Sequence, residues 1–233
     1  MPGTQEKLIK ELAKTGKPIV LVIMAGRPIS ITNILNDVDA IVMAWHPGTM
    51  GGEALYDIIY GLENPHGKLP VSWPKTAGQL PYFYNHKNTG RPANKNNFVP
   101  IDKIPIGAWQ SSLGNNSHYL DAGFTPQYPF GYGMSYTEFK YDNLKVSKDT
   151  INFKEEIIVT ASITNVGKRD GKEVVQLYVQ DVVGSITRPV KELKGFQHIK
   201  LKSGETKKIS FSLSSNDLEF VNHNLKKSFK KKQ

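Results

Sequence analysis

Residues 39–60 read DAIVMAWHPGTMGGEALYDIIY, and this stretch indicates the fold of the first part of the chain. The apolar run of residues 39–45 is typical of a strand that is buried on both faces of a parallel sheet. Glycine-rich residues 46–52 follow, and Glu53–Tyr60 then place apolar side chains at helical spacing. A strand, a short loop and a helix in this order predict a right-handed α/β unit.

The residues before this stretch repeat the same alternation. Residues 4–15 predict a helix with Thr4 at its N-cap, and residues 18–25, PIVLVIMA, predict a second buried strand. A short helical piece is expected at residues 31–36. Two strands are too few for a doubly wound domain, so residues 1–80 are expected to be the C-terminal part of an α/β sandwich domain that begins upstream.

Residues 81–137 show no periodicity and are rich in proline, glycine, asparagine and aromatic residues. A stretch of this length without secondary structure is unusual inside a compact domain, so we predict an extended linker. Six aromatic residues are expected to anchor it by packing: Tyr82, Tyr84, Trp109, Tyr119, Tyr128 and Phe130.

Residues 138–222 alternate apolar and polar side chains, which predicts half-buried strands. Such strands, separated by turn signals, are typical of a β-sandwich of the immunoglobulin or fibronectin type III kind. We count five strands and a further candidate at residues 218–222, whereas the architecture needs about seven. The sandwich is therefore expected to lack its last strand or strands, and residues 223–233 are predicted to be a lysine-rich disordered tail.

Composition excludes several classes of function. The chain has 233 residues, no cysteine and a net charge of +9, and five of its lysines lie within the last eight residues. Disulfides, thiolate metal sites and a cysteine nucleophile are thus excluded. Nucleic-acid binding usually needs a basic face on the folded domain, and here the basicity lies in the tail, so no nucleic-acid partner is expected. The absence of a long apolar run and of a signal peptide predicts a cytoplasmic protein with no membrane partner. Uncovered strand edges predict self-association.

Four segments together resemble the C-terminal half of glycoside hydrolase family 3 enzymes, the β-glucosidase and β-xylosidase group. They are residues 15–31, TGKPIVLVIMAGRPISI; residues 39–74, from DAIVMAWHPG to KLPVSWP; residues 128–147, YPFGYGMSYTEFKYDNLKVS; and residues 188–213, RPVKELKGFQHIKLKSGETKKISFSL. The phrase that runs from Tyr119 to Thr137 is especially similar to the bacterial periplasmic β-glucosidase type. The resemblance extends from about residue 2 to residue 222.

The resemblance implies a retaining glycosidase with two catalytic carboxylates. The family carries its nucleophilic aspartate in an N-terminal barrel of about 250 residues, which this chain does not contain. Its acid/base glutamate precedes a segment that corresponds here to residues 2–5, PGTQ, and so would lie upstream of Met1. We therefore assign no catalytic residue. The six histidines are scattered and form no HxH or HExxH pattern, so no metal is expected, and we assign no cofactor. The chain is interpreted as a truncated fragment of a β-glucosidase-like hydrolase that is inactive alone.

Other acidic and aromatic residues and one other function compete with this interpretation. Glu53 and Asp57 are four residues apart on one predicted helix, so they point the same way and cannot flank a sugar. His46, Tyr84 and His86 are candidate substrate-binding residues, although packing roles explain each of them. The expected partners are a β-glucoside or oligosaccharide and a separately encoded barrel domain. The alternative function is a non-catalytic carbohydrate- or protein-binding module.

Overall fold

The computed structural model describes residues 1–109, 115–152 and 155–228. The chain divides into two compact units, which are treated one at a time below. The first unit consists of Met1–Tyr60, Leu69–Tyr84 and Thr89–Tyr132, and the second of Gly61–Lys68, Asn85–Asn88 and the chain from Gly133 onward. Within the described ranges, no helix is long and apolar enough to span a membrane.

The first unit contains a small parallel sheet with helices. In chain order its elements are α1 (Gln5–Ala13), β1 (Val20–Ile23), a 3₁₀ helix (Thr32–Asp37), β2 (Ala40–Met43) and α2 (Gly51–Ile59), followed by two short 3₁₀ helices (Ala77–Gln79 and Ile101–Lys103). Strands β1 and β2 are parallel, with Val20 opposite Ala40 and Ile23 opposite Met43. The predicted α/β order is confirmed, although both strands are shorter than their apolar runs.

The first unit has a hydrophobic core of its own. Its buried side chains are Ile9, Ile23, Ile31, Ile34 and Trp73. The indole Nε1 of Trp73 donates a hydrogen bond to the carbonyl of Ile29 at 2.8 Å, and the ring of Tyr128 meets the indole edge-on. The buried indole thus has its polar atom satisfied, as a core tryptophan requires.

The aromatic residues expected to anchor residues 81–137 behave differently from one another. The hydroxyl of Tyr82 donates to the carbonyl of Phe124 at 3.0 Å, and burial raises the pKa of Tyr82. Trp109, in contrast, is 86% exposed. The prediction that Trp109 is a packing anchor is therefore wrong, because composition identifies an aromatic residue without saying whether a neighbour covers it.

The second unit is antiparallel. Its strands are β3 (Phe139–Val146), β4 (Glu156–Asn165), β5 (Gly171–Val179), β6 (Glu192–Leu201), β7 (Thr206–Ser214), β8 (Phe220–Val221) and β9 (Lys227–Ser228), with a short helix α3 (Ser215–Leu218). One sheet has the order β3-β4-β7, and β5 pairs with β6 in a second sheet. Ile163, Val175, Ile199, Leu201 and Ile209 form the buried core. The all-β fold predicted from the alternation is confirmed.

The end of the second unit departs from the sequence expectation. Strand β9 pairs with β8, so that Phe220 lies opposite Ser228 and Val221 opposite Lys227. The lysine-rich composition predicted no strand after residue 224, and that prediction is wrong at Lys227–Ser228. The backbone can supply a short strand pair where the side chains give no alternating pattern, because the pairing bonds are made by the main chain.

A capping box at the start of α3 leads to a testable pH dependence. The hydroxyl and the backbone N–H of Ser214 both donate to one carboxylate oxygen of Asp217, at 2.7 and 2.8 Å. These hydrogen bonds lower the pKa of Asp217, so their stabilisation is present above the unfolded-state value of about 3.9 and is lost as the pH falls through the folded-state value. We expect Asp217→Asn to reduce the free energy of unfolding by about 1 kcal/mol at pH 7.

Urea unfolding of both proteins at pH 7 and in acid measures this effect. Asp149→Asn serves as the control, because Asp149 is an exposed aspartate of the same unit. A loss that is equally large at both pH values would contradict the capping explanation.

Candidate functional site

The carboxyl ends of β1 and β2 lie side by side, and the loops that follow them meet there. Open α/β sheets bind ligands at this edge. Gly26 follows β1 and His46 follows β2. A Cβ atom built on Gly26 would lie only 2.8 Å from Nε2 of His46, so the imidazole rests against the Gly26 backbone. The sequence candidate His46 is therefore held at the carboxyl edge of the sheet, and the residue is exposed.

The residue before His46 has an unusual backbone conformation that sequence reasoning missed. Trp45 has a φ of 54°, in the left-handed region that bulky residues rarely adopt. Such a conformation costs about 1–3 kcal/mol and persists only where the surrounding structure holds it, which happens often at functional sites. No periodic or compositional signal reveals a positive φ at a tryptophan. The strained Trp45 marks the loop after β2 as the candidate functional site of the first unit.

The loop of residues 46–52 turns tightly into α2. Gly48 has a φ of 71°, which favours glycine, and a Cβ on Gly51 would lie 2.6 Å from Cβ of the Pro47 ring, so the ring leaves no room for a side chain there. Glu53 lies in the first turn of α2, where its carboxylate complements the helix dipole. Asp57 follows one turn later on the same helix. These two carboxylates therefore cannot attack a sugar from opposite sides.

Tyr84 and His86, the other two sequence candidates, have separate surroundings. The ring of Tyr84 is stacked on Phe130, with centroids 4.2 Å apart, inside the first unit. His86 belongs to the second unit, where its carbonyl accepts a hydrogen bond from the N–H of Val190 at 2.9 Å. The contacts of these two residues thus differ from those of His46.

The described residues also bear on metal binding. Across residues 1–109, 115–152 and 155–228, no three His, Cys, Asp or Glu side chains lie close enough together to hold a metal ion. The prediction of no metal ligands rests on the scattered spacing of the histidines.

Gly26 and Gly52 provide a matched test of the site geometry. We expect Gly26→Ala to lower the free energy of unfolding by about 1 kcal/mol, because the new methyl group displaces the His46 ring. Gly52 lies in α2 with open space around it, so Gly52→Ala is expected to stabilise the protein by about 0.5 kcal/mol. Urea unfolding, monitored by tryptophan fluorescence, measures the change in the free energy of unfolding for both variants. Equal effects of the two substitutions would contradict the packing of His46 on Gly26.

A cavity of about 270 Å³ in the second unit is lined by cationic and acidic side chains: Arg188 and Lys194, and Asp149, Asp181, Glu192 and Asp217. Arg188 is paired with Asp181 at 3.2 Å and with Glu192 at 2.8 Å, and its guanidinium lies over the ring of Phe220. Because these contacts occupy the guanidinium, the cavity is not assigned a ligand.

A buried ionic cluster in the second unit was also missed by sequence reasoning. One carboxylate oxygen of Glu173 lies 3.3 Å from Nζ of Lys68, and the other accepts a hydrogen bond from the hydroxyl of Tyr141 at 3.0 Å. Burial, followed by the charge and hydrogen bond of Glu173, raises the pKa of Tyr141 far above its usual range. Period-two alternation places Glu173 on the same face as Val175, so a carboxylate on an apolar face was the signal available in the sequence.

Comparisons with known proteins were made with the whole chain. The family model described as the glycosyl hydrolase family 3 C-terminal domain matches residues 1–136, and the model of the fibronectin type III-like domain matches residues 173–229. The periplasmic β-glucosidase of Salmonella typhimurium is 42% identical over 226 residues, which are 97% of this chain and 28% of that protein. A β-xylosidase of Formosa agariphila is 40% identical over 97% of this chain and 28% of its own length.

Solved structures agree with these matches. The β-glucosidase from Listeria innocua in complex with isofagomine has a TM-score of 0.88 and 40% identity, and the match covers 99% of this chain and 30% of that one. A β-glucosidase from Erythrobacter marinus has a TM-score of 0.83 and 33% identity, with 99% of this chain and 27% of that one covered. The chain thus spans less than a third of the length of the relatives it matches.

Proposed function

The chain belongs to glycoside hydrolase family 3, and from this premise we propose that it is the C-terminal part of a β-glycosidase that hydrolyses β-linked glucosides or xylosides. One observation carries the proposal: two models that follow one another in such enzymes match this chain in order, and 97% of its length aligns with a β-glucosidase and with a β-xylosidase. Enzymes of this kind use two carboxylates, one as nucleophile and one as acid and base.

We assign both reacting carboxylates to residues outside this sequence. Glu53 and Asp57, the acidic pair at the candidate site, are one turn apart on α2 and share a direction. A retaining pair must face each other across the sugar with about 5–5.5 Å between the carboxyl groups. By this proposal the chain alone does not hydrolyse glycosides.

We place His46 at the border of the sugar site. Its position at the carboxyl end of β2, the left-handed Trp45 beside it and the tight loop into α2 support this placement. Tyr84 and His86 stay predictions as sugar contacts. The ring of Tyr84 packs on Phe130 and the backbone of His86 pairs with Val190, and neither contact tests sugar binding.

A chimaera tests the proposed activity. The matching C-terminal part of the Salmonella typhimurium β-glucosidase is replaced by this chain, and hydrolysis of nitrophenyl β-glucoside and nitrophenyl β-xyloside is measured. We expect the chimaera to hydrolyse at least one substrate and the isolated chain to hydrolyse neither. A folded chimaera that hydrolyses neither substrate would contradict the proposed function. Hydrolysis by the isolated chain would contradict the assignment of the two carboxylates to residues outside this sequence.

The partner and the cellular location are tested separately. We propose that a barrel domain, whether on the same polypeptide or separately encoded, completes the enzyme. Mixing the purified chain with the barrel part of the Salmonella enzyme and measuring complex formation tests this.

The cytoplasmic location predicted from the sequence also stays a proposal. The relative from Salmonella typhimurium is described as periplasmic, so fractionation of the source cells decides between the two compartments.

A further inference from the structure

One side of the β5–β6 sheet, here called the basic face, combines cationic and aromatic side chains. The register places Lys172 opposite Lys200, Val174 opposite His198 and Gln176 opposite Phe196. The alternate residues, Glu173, Val175, Ile199 and Leu201, are buried, so the basic face is the outer side of the sheet. Its members are Lys172, Val174, Gln176, Tyr178, Phe196, His198 and Lys200, together with Lys191, whose ammonium lies 4.8 Å from the centre of the Tyr178 ring.

The charges of the basic face are uncompensated. Lys172 and Lys200 are exposed and stand directly opposite each other, an arrangement that costs about 0.2–1 kcal/mol in a sheet. Neither they nor Lys191 form an ion pair with any residue that the structure describes. The outward positions of β5 and β6 named above carry no acidic residue. A bound polyanion would turn this local repulsion into attraction.

An exposed aromatic ring lies beside these charges. Phe196 is 58% exposed, and its ring meets His198 edge-on with centroids 5.9 Å apart. From Lys172 to Tyr178 the face extends about 20 Å along the strand, the length of several sugar rings. An exposed aromatic ring can pack against the C–H face of a sugar, and the lysines attract negative charge.

We propose that the basic face binds a β-linked polysaccharide that carries uronate carboxylates, such as a xylan with glucuronate side groups. Carboxylates pair with Lys172 and Lys200, and the sugar backbone packs on Phe196. A neutral glycan would offer no negative charge to Lys172 and Lys200, which lie opposite each other. An apolar partner would have to remove water from both ammonium groups. The inference rests on the proposed function, since a xylan is built of the β-linked xylose units on which the proposed enzyme acts.

Titration calorimetry of the whole chain with glucuronoxylan tests the proposal, and the same polymer with its carboxyl groups reduced is the ligand control. Lys172→Gln/Lys200→Gln is expected to weaken binding about tenfold, and reduction of the carboxyl groups at least as much. Lys207→Gln/Lys208→Gln on β7 is the matched control, because it removes the same charge from the other sheet and should change affinity less than twofold. Phe196→Ala is expected to weaken binding about fivefold while the salt dependence stays unchanged.

Several results would overturn the proposal. Equal losses in the two double variants would show that net charge alone attracts the polymer. Tighter binding of dextran sulfate or of single-stranded DNA would overturn the assignment to uronates. Thermal melting checks that each variant is folded; if a lysine variant is not, the carboxyl-reduced polymer and Phe196→Ala decide. Hydrolysis of the neutral nitrophenyl substrates by the chimaera does not involve the basic face, so a failure here is distinct from a failure of the proposed function.

Discussion

Glu173→Leu is expected to lower the free energy of unfolding of the second unit by about 4 kcal/mol. The substitution leaves the ammonium of Lys68 without its counter-ion at a position where only 16% of the lysine side chain is exposed. It also removes the acceptor of the Tyr141 hydroxyl. Lys68 Nζ still donates to the carbonyl of Gly133 at 2.9 Å, but a neutral carbonyl does not compensate a buried charge.

Two further variants isolate the cause. Asp142→Leu breaks the Lys140–Asp142 pair, whose side chains are 64% and 42% exposed, and should cost less than about 1 kcal/mol. Lys68→Met combined with Glu173→Leu removes both charges, and should recover most of the loss. If the double variant is no more stable than Glu173→Leu alone, the unpaired ammonium is not the source of the effect.

Amide hydrogen exchange of β5 is the suitable measurement. All three tryptophans, Trp45, Trp73 and Trp109, lie in the first unit, so tryptophan fluorescence during urea unfolding reports on that unit and serves as an internal reference. Exchange of the β5 amides reports on the second unit. The Glu173→Leu effect is expected in exchange and not in the fluorescence transition.

Asn165→Asp is expected to destabilise the second unit by at least about 3 kcal/mol. Asn165 is completely buried at the end of β4. Its Oδ1 accepts hydrogen bonds from the Thr137 hydroxyl at 2.6 Å and the Gly167 N–H at 3.2 Å. Its Nδ2 donates to the carbonyls of Arg169 and Leu201 at 2.7 and 3.2 Å. A carboxylate of the same shape would direct an acceptor at two carbonyl oxygens.

The pH dependence of this variant gives a second test. Burial without a counter-ion raises the folded-state pKa of the introduced carboxyl above its unfolded value. The destabilisation is therefore greatest above the folded-state value and becomes smaller as the pH falls through it. Asn224→Asp, at an exposed asparagine, is the control and should change stability by less than about 0.5 kcal/mol. A loss in Asn165→Asp that does not change with pH would contradict this account.

The strands and helices were largely predictable because they depend on local periodicity. Alternation in residues 157–163 and 207–213 predicted which side chains of β4 and β7 face the core, and Ile163 and Ile209 are indeed buried. The apolar runs at residues 18–25 and 39–45 predicted parallel strands, which β1 and β2 are. The exposure of Trp109 and the β8–β9 pairing depend on neighbours or on main-chain bonds, and local patterns do not encode either.

The candidate site was predictable only in part. A glycine-rich loop after a buried strand pointed to His46, and the structure places its ring against Gly26 at the carboxyl end of the parallel strands. The strain at Trp45 required coordinates, because a positive φ is imposed by the surrounding chain rather than by the tryptophan itself.

The order of the residues was enough to determine the α/β and all-β halves and the family, since a strand or helix reveals its buried face through its own repeat. Only the tertiary structure decided which polar groups meet. Lys68 and Glu173 are distant in sequence, and no local pattern around either residue predicts that they form an ion pair. Their pairing follows from the tertiary fold, which brings the two residues together. The low dielectric of their buried surroundings strengthens the interaction and raises the free-energy cost of leaving either charge unpaired.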